Sequence, residues 1–227
     1  MSEMTKMTVK FHGPMWDSFD TKIRRLPVKR NPFLNQVIKK ETPRLARAMV
    51  GKKLSSKANR WISVQLNSMD IKTVSIDVEK DVAHNLNNTI AETHMVRDAF
   101  LNRLVAFLRS SDSLLDYFQI PRTEDGSIGK TYGSDLDKPT SPLTTLETTF
   151  DDPLWYLHEA IREVHAESLY LLDFPSPKLD GFACWLSDAQ VPGTRESRRQ
   201  QREVEDIMKS LGVFEAEAFA PAKAGRE

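Results

Sequence analysis

Residues 71–104 read IKTVSIDVEKDVAHNLNNTIAETHMVRDAFLNRL. Val74, Ile76 and Val78 alternate with Thr73, Ser75 and Asp77, the period-two pattern of a half-buried strand. Val82, Leu86 and Ile90 then recur at four-residue spacing, one face of a helix of about three turns. Asp77 is placed to cap that helix, with Glu79 and Asp81 where the helix dipole favours acids. Thr93 and His94 interrupt the spacing. A longer helix follows, with Val96, Phe100, Leu104 and Phe107 on one stripe and Leu101 and Leu108 beside it. The stretch therefore predicts strand, helix, short turn, helix.

A lone unit of this kind cannot bury its strand, and the chain offers a second copy upstream. In KMTVKFHG, residues 6–13, Met7, Val9 and Phe11 alternate with Thr8, Lys10 and His12. A helical stripe follows through Phe19, Ile23 and Leu26 beside Trp16, and another through Phe33, Val37 and Ile38. The hexapeptide RNPFLN at 30–35 is echoed by RDAFLN at 97–102. Thr8 stands 25 residues before Phe33 and Thr73 stands 27 before Phe100, which sets Thr8-Val9 against Thr73-Val74. The upstream copy departs from the pattern at Gly13-Pro14, Pro27 and Pro32. Pro27 must lie at or beyond the end of its first helix. Pro32 is tolerable in the first turn of the second, with Asn31 as N-cap.

On the residues TVSIDVEKDVAHNL and MVRDAFLNRL, the unit resembles the ribbon-helix-helix (MetJ/Arc-type) family of DNA-binding repressors. The resemblance covers about 40 residues and is a pattern of residue types. It implies that two strands pair into an antiparallel ribbon that enters the major groove of duplex DNA. It also implies that the N-terminus of each second helix meets a phosphate. With both copies in one chain, the family's dimer becomes an intramolecular pseudo-dimer, and the target need not be palindromic.

Alternation then nominates the groove-facing side chains: Thr8, Lys10 and His12 from one strand, Thr73 and Ser75 from the other. Lys10 suits guanine O6 and N7, and the hydroxyls can donate or accept. Expected phosphate contacts are Lys6 and Lys72 flanking the strands, Arg30 and Asn31 at the start of one second helix, and Thr93, His94 and Arg97 at the start of the other. For Arg30 and Arg97, an ordinary surface ion pair is an equally good reading.

Charge agrees in sign. Residues 1–110 carry 20 Lys and Arg against 10 Asp and Glu, while the remainder carries 12 against 22, so a net charge of +0 hides a basic half and an acidic half. A basic half is the footprint of a polyanion binder, though basic faces are often only solvated surface. Between the copies, residues 42–70 read as a helical pair. Thr42-Pro43 is expected to start one short helix that Gly51 stops, and Ser55 or Ser56 to start another carrying Trp61, Ile62 and Leu66. A packing role ranks above a second reading head for this insert, although Lys52, Lys53, Lys57 and Arg60 are placed to touch phosphates.

The acidic half offers little chemistry. GSIGKT at 126–131 fails as a phosphate loop, because Glu124 stands where the pattern needs glycine. His158 and His165 are seven residues apart, too far for paired metal ligands on one helix, and read as boundary histidines. Cys184, the single cysteine, reads as a core thiol beside Phe182 and Trp185. Asp151 or Asp152 with Pro153 starts a helix whose stripe is Leu154, Leu157, Ile161 and Val164. LYLLDF and FACWL read as two short strands.

The expected fold is mostly α with short strands: a tandem ribbon-helix-helix pseudo-dimer plus a small α/β C-terminal appendage. The expected divisions are 1–110 for the DNA-binding domain, 111–150 for a turn-rich linker, 151–190 for the appendage, and 191–227 for a charged helix and disordered tail. The expected function is sequence-specific binding of double-stranded DNA and transcriptional repression, with no cofactor, no metal and no enzymatic activity. The alternative is an antitoxin-like protein-interaction module working, or self-associating, through residues 111–227. No secretory h-region or 18-residue apolar run is present, which sets the expected compartment as cytoplasmic, away from membranes.

Overall fold

The computed structural model describes residues 2–109, 111–120, 152–164, 168–170 and 187–210. Among the described residues helices dominate, and two strands form one small antiparallel sheet. Strand β1 (Met4–His12) leads into helices α1 (Gly13–Ile23) and α2 (Arg30–Ala48). Helix α3 (Ser56–Ser68) precedes strand β2 (Ile71–Glu79), which leads into α4 (Lys80–Thr93) and α5 (Arg97–Arg109). Beyond them lie α6 (Asp112–Tyr117), α7 (Trp155–Val164) and α8 (Arg195–Ser210).

The strands pair with Thr8 opposite Ser75, Lys10 opposite Thr73 and Lys6 opposite Asp77. Met7, Val9, Phe11, Ile76 and Val78 point inward and are buried. Helix α1 packs on α5, and α2 packs on α4, so each unit's helices cover the other's. Trp16 anchors this layer, stacked on Phe11 with ring centroids 4.4 Å apart.

The register corrects the sequence alignment of the two units. Residue n of the first corresponds to n + 67 of the second: N-cap His12 to N-cap Glu79, Arg30 to Arg97, Asn35 to Asn102. Buried Phe11, Phe19, Phe33 and Val37 then match buried Val78, Leu86, Phe100 and Leu104. Thr8 matches Ser75, the residue it faces, so the approximate two-fold axis passes through that pair. The alignment of Thr8 with Thr73 was two residues out. A slip of two preserves every in-or-out assignment, so alternation cannot detect it.

Several helix ends also differ from expectation. Helix α4 is capped at Glu79, not Asp77, which stays in the strand on its outer face. Helix α2 begins after Lys29, so Asn31 lies inside its first turn and is not the N-cap. The same helix runs through Pro43 instead of restarting at Thr42. Its buried stripe of Val37, Ile38, Glu41 and Leu45 continues across that point, Pro43 itself is exposed, and the Thr42 hydroxyl donates to the Ile38 carbonyl at 2.7 Å. One missing N–H does not outweigh that burial. Gly51, at φ 71°, and Ser55, which accepts from the Ala58 N–H, end and start helices as expected.

The core does not stop at residue 110. Leu114 and Leu115 of α6, set by the Ser111 cap, are buried in the same cluster as Phe100, Leu104 and Phe107, so helix occupies the start of the predicted linker. Leu154, Leu157, Ile161 and Tyr170 join it from the C-terminal half. Of the two predicted C-terminal strands, Leu169 and Tyr170 form a turn. The remainder of that pair, Cys184, His165, the GSIGKT loop and residues 211–227 lie outside the described residues. No helix among the described residues is long and apolar enough to cross a membrane.

Candidate nucleic-acid interface

Side chains of paired residues share a face of a sheet, so the register sets the ribbon's outward row. Thr8 and Ser75 are at its centre, with Lys10 and Thr73 on one side and Lys6 and Asp77 on the other. All but Asp77 are exposed, and Asp77 is half-buried. Lys10 Nζ donates to Asn67 Oδ1 at 3.0 Å, and Asp77 accepts from Asn31 Nδ2 at 2.7 Å. His12 shares the face at the ribbon's end, where it is half-buried. Burial holds its imidazole below the ordinary value, Asp70 opposing and Arg109 assisting, so it is neutral at neutral pH.

A two-stranded sheet has two open edges, and side chains bond to both, at four backbone groups of β1 and at the terminal N–H of β2. Along β1, Asn102 Oδ1 accepts the His12 N–H at 2.9 Å while Asn102 Nδ2 donates to the Lys10 carbonyl at 2.8 Å. The Lys10 N–H goes to Asp98, and Arg97 donates to the Thr8 carbonyl at 2.8 Å. Along β2, Asn35 Oδ1 accepts the Glu79 N–H at 2.9 Å. Each FLN asparagine therefore ties its helix to the strand of the other unit. These contacts bring the N-termini of α2 and α5 to opposite edges of the ribbon.

The expected phosphate contacts divide. Arg97 lies on the β1 edge. Arg30 is bonded to Asp20 at 2.9 Å and lies over the Trp16 ring. Lys6 is exposed. Lys72 lies on the inner-face register opposite Phe11 and is paired with Asp17 at 2.5 Å. Thr93 is buried with its hydroxyl committed to the Thr89 carbonyl at 2.7 Å, whereas His94 is exposed in a left-handed turn at φ 55°.

Sequence reading missed the position of α3. Asn59 Nδ2 donates to the His94 carbonyl at 2.8 Å, and Asn67 meets Lys10 two turns later. The helix thus runs along one flank of the ribbon, from the start of α5 to the outward row. The repeated hexapeptide marked Asn35 and Asn102 without showing that they bond the strand edges, and nothing in the sequence hinted at Asn67.

A second polar centre joins the two halves of the chain. Glu41 of α2, with a side chain 1% exposed, accepts from Arg44 at 2.6 Å and from the Tyr170 hydroxyl, and bonds His158 Nε2 at 2.9 Å. Burial would raise its carboxyl, but His158, Tyr170 and Arg44 together hold it below the usual value. Arg44 also forks onto Asp152 at 2.7 and 2.5 Å. Buried Arg103 donates to the Leu169 carbonyl at 3.0 Å.

No family model, curated protein or solved structure matches the chain.

Proposed function

We propose that this protein binds duplex DNA by laying the β1–β2 ribbon into the major groove and represses transcription by occupying its site, as ribbon-helix-helix proteins do. The observation that carries this reading is the ribbon itself. One chain pairs its two strands about the Thr8–Ser75 axis, keeps the outward row polar, and brings a second-helix N-terminus to each edge. A two-stranded ribbon matches the width of the major groove, and outward side chains reach base edges. Backbone N–H groups at the starts of α2 and α5, with Arg97 beside one and Lys29 beside the other, suit phosphates. The test is fluorescence anisotropy of the full chain on mixed-sequence duplex. Affinity should fall steeply and linearly in log–log form as salt rises. A folded protein that shows no affinity for duplex at low salt would overturn the reading.

A second reading rests on α8. After Ser197 the helix leaves the core, and Val204, Ile207 and Met208 lie on one stripe at 53%, 57% and 37% exposure. Such a stripe suits a protein partner. Co-purification of a stoichiometric partner, lost on cutting the chain after residue 197, would support it.

A further inference from the structure

We infer that the DNA target is a non-palindromic site in which Lys10 selects guanine in one half and Asp77 selects cytosine at the related position of the other. This rests on the ribbon reading above. The two-fold axis through Thr8 and Ser75 makes Lys10 and Asp77 equivalent positions, each one pair away from the axis on the outward row. In a dimer of identical strands these would be the same residue and would read the same base twice. Here one position carries a cation donor and the other a carboxylate acceptor. Lys donates to guanine O6 and N7; Asp accepts from cytosine N4.

Both side chains are held for the task. Asn67 takes one hydrogen from the Lys10 ammonium, leaving two donors. Asn31 takes one oxygen of Asp77, leaving the other.

The flanks are unequal in the same sense. At the start of α5, Asp98 stands where α2 has Asn31, an unfavourable charge beside a phosphate. That flank alone is lined by α3, whose exposed Arg60 lies one residue from Asn59, the residue bonded to His94. Exposed Lys52 and Lys53 precede Leu54, whose N–H bonds the Thr93 carbonyl. The insert thus returns to the Lys10 side the positive charge that Asp98 removes, and lengthens contact there.

The experiment is selection of bound duplexes from a random pool by the full chain and by Asp77→Lys, with hydroxyl-radical footprints of the winners. Wild type should enrich a motif without inverted symmetry, its footprint longer on the side bearing guanine. Asp77→Lys should enrich a motif closer to an inverted repeat, with a preference for guanine over cytosine of about tenfold at the changed position. An inverted repeat from wild type, or the same motif from both proteins, overturns this inference and leaves DNA binding standing. No enrichment by folded wild type overturns the DNA reading itself. If Asp77→Lys does not fold, Asp77→Asn decides: loss of the cytosine preference alone supports the assignment, and its retention overturns it.

Discussion

Asn35 and Asn102 stand at the same place in two helices, and each bonds the edge of the strand belonging to the other unit. Asn102, fully buried, satisfies the His12 N–H and the Lys10 carbonyl of β1, and Asn35 satisfies the Glu79 N–H of β2. Exposed strand edges invite pairing with other chains. An amide side chain offers donor and acceptor together, so it can stand in for a third strand without adding one. The repeated F-L-N is thus a reciprocal clasp.

Asn102→Ala should destabilise the fold by about 1–3 kcal/mol, the cost of leaving part-buried backbone groups without partners. Asn102→Asp should do at least as much harm, because a carboxylate cannot donate to the Lys10 and Asp98 carbonyls. Urea unfolding followed by circular dichroism measures both. Wild-type stability in either variant would show that the clasp is dispensable.

Replacing Lys10, Thr73 and Ser75 together by Ala should erase sequence preference on DNA while barely moving the urea midpoint. All three side chains are exposed, and exposed substitutions usually shift stability by no more than about 0.5 kcal/mol each. Unchanged base preference, measured by competition between duplexes, would sink the assignment of the outward row.

Glu41 predicts a pH dependence. Its carboxyl is held below the ordinary value of 4.5, so its contribution is complete above that value and is lost as pH falls through the lowered one. Asp152, held down by Arg44 against its own burial, acts in the same direction. Thermal unfolding should therefore show stability dropping in the acid range below pH 4.5. The drop should be shallower in Glu41→Gln, which should itself be less stable than wild type near neutrality. An equal acid slope in both proteins would exclude Glu41 as its source.

Pro43→Ala should stabilise the protein. The ring sits exposed inside α2 and denies the Lys39 carbonyl its helical donor, a defect worth up to about 3 kcal/mol in a helix interior. A higher midpoint in urea is the expected result; a lower one would mean the proline shapes a bend that the packing of α2 on α4 requires.

Residues 1–110 alone should be much less stable than the whole chain. The fragment would uncover Phe100, whose ring lies 5.5 Å from that of Tyr170, and leave the Phe107 carbonyl without the Tyr156 hydroxyl. It would also strand Glu41 and Arg103 without the hydroxyl, imidazole and carbonyl that satisfy them. Sedimentation and circular dichroism of the fragment test this; a cooperative fold equal to wild type would show that the halves are independent.

The sequence alone determined both strands, the faces they bury and the start of α3 at Ser55, because strand alternation, helical spacing and a serine cap are local signals carried by residues such as Val9, Ile76 and Ser55. It also marked Asn35 and Asn102, through a repeated hexapeptide whose purpose it did not reveal. The tertiary structure decided the register, since a slip of two leaves alternation intact and only backbone pairing sets Thr8 against Ser75. It decided that α2 survives Pro43, because burial on both sides outweighs one lost hydrogen bond. It also decided that Glu41 lies under Tyr170 and His158 and that Asn67 reaches Lys10. Those contacts join residues 129, 117 and 57 positions apart. No local pattern encodes a pairing that depends on how whole helices pack.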